Sequence, residues 1–425
     1  MGGHGAGELI GDLREQERER FVLRTAGSRE LFKRAANALA GGVTSSFHGQ
    51  DPWPVYIERG EGARIWDVDG NEYLDFHNGF SAMVQGHAHP AIRAAVSRRH
   101  ELGTHFGATT EDAVAVAEEL ARRFGMPRWR FTNSGTESNM VAIRLARALT
   151  GRQDVVKMAG AYHGHVDIDP LHEVAFNDAA GLERRIGELD AAGHKPACVI
   201  MEGAMTSGGL TLPEPGYLAA VRELTRRQGV LLLFDEVKTG LTIAAGGAVE
   251  RLGAEPDLLT LAKSLGGGLP AGAVGMTAEL AELVEAGRLP LVGTYNGNPL
   301  SMAAARASFQ EVMTPDAYAH LEHLNDRLHD GLGAIIERHG FPAHVIGLGA
   351  KGCIVFSPEP VLSYRDWAHK TNGPLNELAW LYNMNRGVFM TPGREEEWTL
   401  SVQHDDADID RFIDVFAELA GDLTT

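Results

Sequence analysis

The stretch "LLLFDEVKTG", residues 231–240, opens with four apolar residues and closes with two adjacent carboxylates, a valine, a lysine, a threonine and a glycine. An unbroken apolar run bounded in this way reads as a strand buried on both faces, which belongs in a parallel sheet covered by helices. Asp235 and Glu236 then fall at the carboxyl end of the strand, where open α/β sheets bind ligands. Outward from it, "RWRFTN", "DVVKMA", "ACVIME", "LLTLA" and "AGAVGM" read as further strands, with amphipathic stretches such as "EDAVAVAEELARRF" and "GYLAAVRELTRRQG" between them. This alternation predicts an α/β protein with a mostly parallel sheet. From about residue 311 the pattern changes to a long helix, "AYAHLEHLNDRLHDGLGAIIERHG", then "VIGLGAKGCIVF", another helix and a strand-turn-strand region, which marks a domain boundary.

The 425 residues carry 39 Lys+Arg against 57 Asp+Glu, a formal net charge of -18, and no basic stripe, so nucleic acid is excluded as a partner. No apolar run approaches the roughly 18 residues of a membrane span, so no membrane partner is expected. The start, "MGGHGAGELIGDLREQERER", lacks the apolar core of a signal peptide and reads as a flexible tail leading into a charged helix. Cys198 and Cys353 sit in apolar, strand-like runs, which fits buried thiols and a cytoplasmic location. "GLGAKG", Gly347 to Gly352, matches the dinucleotide fingerprint, but β-like "CIVFSPEP" follows where a helix is required. The histidine pairs His87/His89 and His163/His165 have no cysteine or acidic partners at ligand spacing, so no metal is assigned to them.

Two more segments carry chemistry. In "TLAKSLGGGLPAG" a lysine, Lys263, ends an apolar strand, where desolvation favours the neutral, nucleophilic amine. In "RFTNSGTESNMVAIRLAR" a strand ends at Asn133, and Ser134-Gly135-Thr136 opens an amphipathic helix whose N-terminus is a ready phosphate site. Each has an ordinary explanation: a polar strand end, a snorkelling lysine, a Ser/Thr cap. Asp235 and Lys263 in consecutive βα units make those explanations harder to hold together. Phosphate, lysine and aspartate imply a cofactor that is a phosphorylated aldehyde with a basic ring nitrogen.

"NSGTES", "YHGH", "DEVKTG", "AKSLGGGLPAG" and "GTYNGNPLSMAAA" occur in the order and spacing of one family. The chain resembles the class III, fold-type I pyridoxal-phosphate aminotransferases, in the branch of glutamate-1-semialdehyde aminomutase, with β-phenylalanine and D-phenylglycine aminotransferases as other relatives. The resemblance runs from "SRELFKRAANALAGGVTS" to "LSVQHDDADIDRF". It implies a large, mostly parallel seven-stranded sheet domain at residues 75–310. A smaller α+β domain would form from the N-terminal segment 1–74 and the C-terminal segment 311–425. It implies pyridoxal 5'-phosphate as cofactor, with a pyridoxamine 5'-phosphate form in the cycle, and a homodimer with shared active sites. By resemblance Lys263 would form the Schiff base and then move the proton, and Asp235 would pair with the pyridine nitrogen. Val237 and Tyr162 would cover the two ring faces, Tyr162 counting with the catalytic residues. Ser134, Gly135 and Thr136 would hold the phosphate, and Thr294 would reach the phosphate of the neighbouring subunit. His163, Glu202 and Ser207 would complete the cofactor site, Ser207 near the phenolic oxygen.

The departures fall where relatives recognise substrate. In "GGVTSSFHGQ", residues 41–50, His48 stands at the aminomutase arginine and Ser45 at that of the β-phenylalanine enzyme. Phe80 takes the place of an aromatic gate, usually tryptophan. The segment after "YHGH" is short, which predicts a more open pocket. Arg394 in "FMTPGREEEW", a bidentate carboxylate clamp or a surface ion pair, is the main candidate cation, with Lys238 as another and His404 expected near the entrance. The missing loop arginine favours an aminotransferase acting between a β-amino acid or a neutral or aromatic amino acid and a keto acid. The alternative is aminomutase-type intramolecular transfer. A decarboxylase or racemase, and a non-catalytic cofactor-binding protein, rank below both.

Overall fold

The computed structural model describes residues 3–169, 172–392 and 396–424. Its centre is a seven-stranded sheet of β4 (Arg128–Thr132), β5 (Val155–Met158), β6 (Glu173–Val174), β7 (Cys198–Met201), β8 (Leu231–Asp235), β9 (Leu258–Leu261) and β10 (Gly272–Met276). The spatial order is β4-β10-β9-β8-β7-β5-β6. The pairs from β9 through to β6 are parallel, and β10 runs antiparallel to both its neighbours. Successive residues alternate between two cores because the pleat turns them to opposite faces. Val156, Val199 and Leu232 pack with Leu182, Ile186 and Val221 on one side, and Val155, Cys198 and Leu233 with Ile143 and Leu280 on the other. With both faces covered, apolar runs such as "CVIM" and "LLTL" are buried throughout. The six strands expected from sequence are all present; the seventh, β6, is a two-residue edge strand too short for any pattern.

Two smaller sheets flank it. β1 (Ile57–Glu61), β2 (Arg64–Asp67) and β3 (Glu72–Asp75) form a meander to which the distant β13 (Val388–Phe389) adds in parallel beside β3. β11 (His344–Leu348), β12 (Lys351–Val355) and β14 (Glu396–Thr399) form an antiparallel sheet. "GLGAKG" is the β11–β12 hairpin: Gly347 pairs with Gly352, and a Cβ on Gly352 would meet the Trp398 ring at 2.1 Å. That glycine lets an indole lie against a strand and opens no helix. Three of the four paired histidines also have local roles. His87 bonds Asp75 at 2.6 Å, His89 caps the helix Pro90–Leu102, and His163 bonds Asp235.

The expected N-terminal tail is corrected. The chain is helical from Gly3 to Arg24, and this helix docks on Gly373–Asn385 through Arg14–Glu377, Arg386–Glu17 and Asn385 bonding the Glu17 carbonyl. Charged residues of this helix are partners across a helix pair. Among the described residues, no helix is long and apolar enough to cross a membrane.

Candidate active site

The carboxyl ends of β8 and β9 open into a cavity of about 720 Å³. Asp235 ends β8, is almost fully buried, and accepts hydrogen bonds from His163 Nδ1 (2.7 Å), Asn139 Nδ2 (2.7 Å) and the Val237 amide (2.9 Å). Burial alone would raise its pKa, but the His163 hydrogen bond and charge, with the amide donors, hold it below the ordinary carboxylate range. Lys263 follows β9 at the first position of a 3-10 turn, Lys263–Gly266, with φ of 47°, a left-handed conformation that costs a non-glycine residue energy and concentrates at functional sites. Burial, then the charge of Lys238, lower the Lys263 amine to about 8.

The helix Gly135–Thr150 aims its N-terminus at the same space. Ser134 is its cap, accepting from the Glu137 amide at 3.2 Å, while Glu137 Oε2 accepts from the Asn133 amide at 2.9 Å. The capping explanation therefore holds, and the half-buried turn also lines the cavity with Ser134, Gly135 and Thr136. A Cβ on Gly135 would lie 2.9 Å from both Val237 methyls, and one on Gly164 would lie 2.2 Å from Thr136 Oγ1. Opposite, the Tyr162 amide donates to Ser207 Oγ at 3.2 Å. The Tyr162 ring meets Phe47 edge-on at 5.2 Å, and Phe47 lies 5.6 Å from Phe80, so three aromatic rings form one wall. Glu202 is buried and raised in pKa by burial and by Asp235, with Thr206 donating to one of its oxygens.

The cavity thus gathers Ser134, Gly135, Thr136, Tyr162, His163, Glu202, Ser207, Asp235, Val237 and Lys263, with Phe80. Other expected residues lie elsewhere. Ser45 contributes nothing to its lining, and His48 bonds Thr44 and lines a neighbouring cavity behind Phe47 and Phe80. Thr294 sits in an exposed loop beside Val292 and Tyr295. Arg394 lies outside the described residues. Two expectations are corrected. His404 is not at the entrance: it is buried against Phe76, hydrogen-bonded to Ser401 and lowered by burial to about 4. Lys238 is not a cation awaiting substrate, since its Nζ is 2.7 Å from Glu397 and 2.8 Å from the Thr206 carbonyl.

Sequence reading missed Asn139, which donates to Asp235 and to the His163 carbonyl while its own oxygen accepts from Thr260. Its spacing, one turn after Thr136 on the inner helix face, was the available signal. It also missed Tyr364, whose ring would meet a Cβ on Gly160 at 2.0 Å. No local pattern links positions so far apart.

The site was tested against a phosphorylated pyridine aldehyde. Among the described residues, two buried polar atoms on the cavity wall, His163 Nε2 and Glu202 Oε1, have no hydrogen-bond partner, as expected where a polar ligand belongs. Gly135 and Gly164 clear the helix terminus for close approach, and the carboxylate and lysine face one space; the residues fit the group. The family model for class-III aminotransferases matches residues 45–169 and 170–371. The chain belongs to the class-III aminotransferase family. This family uses pyridoxal phosphate. The chain is 37% identical over 415 residues to glutamate-1-semialdehyde 2,1-aminomutase 2 of Brevibacillus brevis, covering 91% of this chain and 96% of that protein. In structure it is similar to a glutamate-1-semialdehyde aminomutase from Pseudomonas aeruginosa, with a TM-score of 0.91, 31% identity, and 98% and 99% of the two chains covered. It is also similar to a β-phenylalanine aminotransferase from Variovorax paradoxus, with a TM-score of 0.90, 31% identity and 97% of each chain covered.

Proposed function

We propose that this class-III enzyme transfers an amino group at the Asp235–Lys263 site, with an aminomutase-type intramolecular transfer as its first reading. The observation that carries amino transfer is the juxtaposition of a carboxylate held ionised and an amine lowered to about 8 at the ends of adjacent parallel strands. Bound pyridoxal phosphate supplies an electron sink for the substrate carbon that loses its proton. Lys263 Nζ takes that proton and returns it at the carbon where the amino group settles. Asp235 would pair with the ring nitrogen and keep its proton in place, and His163 and Asn139 hold the carboxylate in register. Ser134, Gly135 and Thr136 would hold the phosphate at the helix terminus, and Val237, Tyr162 and Ser207, which line the same cavity, would hold the ring. Glu202 Oε1 and His163 Nε2, unpartnered on the cavity wall, would be available to the same ligand.

The names of the relatives favour intramolecular transfer over the aminotransferase reading that the loop favoured. A second reading keeps specific support: Phe47, Phe80 and Tyr162 make an aromatic wall, and among the described residues the lining contains no arginine. Such a wall suits a β-amino acid or an aromatic or neutral amino acid whose amine passes to a keto acid. The purified protein is incubated with glutamate-1-semialdehyde alone, and separately with aromatic β-amino donors plus 2-oxo acids. Isomerisation without an acceptor supports the first reading, and acceptor-dependent turnover alone supports the second. Lys263→Ala lowers either rate by about 10²–10⁴-fold; an unchanged rate overturns the assignment.

The homodimer with shared sites is supported by the exposure of the loop around Thr294, where Val292 is 87% and Tyr295 60% exposed. The division into a body of residues 75–310 and one of 1–74 with 311–425 is supported by the β3–β13 pairing. The buried thiols Cys198 and Cys353 support a cytoplasmic location.

A further inference from the structure

The segment "HNGFSAM", residues 77–83, carries four consecutive left-handed residues: Asn78 (φ 47°), Gly79 (59°), Phe80 (56°) and Ser81 (72°). The three that have a Cβ take this conformation at a cost, and such a run persists only where its surroundings over-determine it. Asp75, Thr399 and Lys351 do so here. The Asp75 carboxylate accepts from the His77 and Asn78 amides at 3.0 and 2.8 Å, and the Asn78 side chain donates to the carbonyls of Asp75 and Thr399 at 2.8 and 2.6 Å. Lys351, fully buried on β12, donates to Ser81 Oγ at 2.8 Å and to Thr399 Oγ1 at 3.1 Å and contacts Glu397, so each of its three protons has an acceptor. The Ser81 and Thr399 hydroxyls are themselves 2.9 Å apart. A buried ammonium that loses an acceptor is costly, so this knot fixes the turn to β12 and β14.

The turn presents Phe80, whose ring lies edge-on to His77 at 4.1 Å and 5.6 Å from Phe47. Phe80 lines the active-site cavity and also a second cavity of about 480 Å³, and the two share Phe47, Gly79 and Pro392 as well. Beyond the ring the second cavity is bordered by apolar side chains, among them Val43, Val55, Ile65 and Phe389. Ser81 lines neither cavity. We infer that Ser81, held by Lys351 and Thr399, is a positioning residue that fixes Phe80 as the partition between the two cavities and so limits the substrate side chain that the site accepts. A turn released to ordinary φ swings the Phe80 Cα–Cβ bond, and the ring with it, out of that place. A substituent that fits in front of the ring is accepted, and one that must extend into the second cavity is refused.

That role rests on amino transfer in this cavity, so the experiment has one arm without substrate and one with it. Hydrogen exchange by mass spectrometry on the full-length wild type, Ser81→Ala and Thr399→Val follows the Ala82 and Met83 amides, both bonded to the Asn78 carbonyl. Each variant, its fold checked by thermal unfolding, speeds their exchange by about tenfold or more, while amides of the seven-stranded sheet keep their protection. In the second arm the cofactor-loaded proteins receive 3-amino-3-phenylpropanoate or its 2-naphthyl analogue alone, and the change in cofactor absorbance gives the rate. The naphthyl-to-phenyl ratio of rates rises by about tenfold or more in Phe80→Ala, which opens the partition, and by about threefold or more in Ser81→Ala. Unchanged exchange in both Ser81→Ala and Thr399→Val overturns the inference, as does a Ser81→Ala that slows both donors equally. Wild type that takes up no pyridoxal phosphate overturns the amino-transfer reading instead, and wild type that takes it up but reacts with neither donor counts against β-amino acid donors. In both cases the exchange arm still decides whether Ser81 pins the turn.

Discussion

At the scale of single residues, the site sorts carboxylates by their donors. Asp235 receives two side-chain donors and an amide and stays ionised. Its neighbour Glu236, facing away from the cavity, is pushed by burial to about 7 despite hydrogen bonds from Thr239 and from the Ala248 and Val249 amides. The folded chain therefore holds a proton on Glu236 that the unfolded chain releases near 4.5. A raised carboxyl pKa contributes stability that is complete below the unfolded value and is lost as pH rises to about 7, about 3 kcal/mol in all. Glu236→Gln, uncharged throughout, flattens this decline; thermal unfolding midpoints of both proteins between about pH 5 and 8 measure it. A decline of equal slope in both would mean that Glu236 stays ionised in the fold. Sequence reading placed both carboxylates at the strand end and chose Asp235, but their different protonation follows from the donors each side chain meets after folding.

At the scale of elements, strand ends and one helix terminus do the positioning. Gly135 is the first residue of its helix and lies against Val237, two residues beyond the end of β8, so phosphate cradle and ring face meet at one contact. A Cβ there would sit 2.9 Å from both methyls of a branched side chain that has little freedom to move. Gly135→Ala displaces Val237 or the helix terminus and weakens pyridoxal phosphate binding by about tenfold or more, which equilibrium titration reads directly. Unchanged affinity would show that the terminus does not approach the cofactor. These elements were legible because period and propensity are local: apolar runs of four or five residues and amphipathic stretches named the principal strands and helices. The charged helix near the N-terminus was legible, but its earlier start, at Gly3, was read as a flexible tail because the helix is held by Gly373–Asn385, a partner far along the chain.

At the scale of the whole molecule, the site is built from distant chain segments, and Thr294 lies outside it. It lines a separate cavity with Phe106 and Asn296 in an exposed apolar region. In a dimer with shared sites, Lys263→Ala and Thr294→Ala each damage a different half of every site. A mixture of the two variants regains activity and cofactor absorbance that neither shows alone, because each mixed dimer restores one intact site. No recovery on mixing overturns the shared-site reading.

The amino-acid sequence by itself determined the sheet, the helix terminus, Lys263 and Asp235, because these follow from local hydrophobic pattern and from residues placed at element ends. It also carried the ordered segments that mark the family. Only the tertiary structure decided which side chains complete the site. Asn139 reaches Asp235 across the sheet, Phe47 closes an aromatic wall with Tyr162, and Glu397 crosses 159 positions to hold Lys238. The physical reason is common to all three: burial and pairing depend on which segments pack together, and local sequence does not record its distant neighbours.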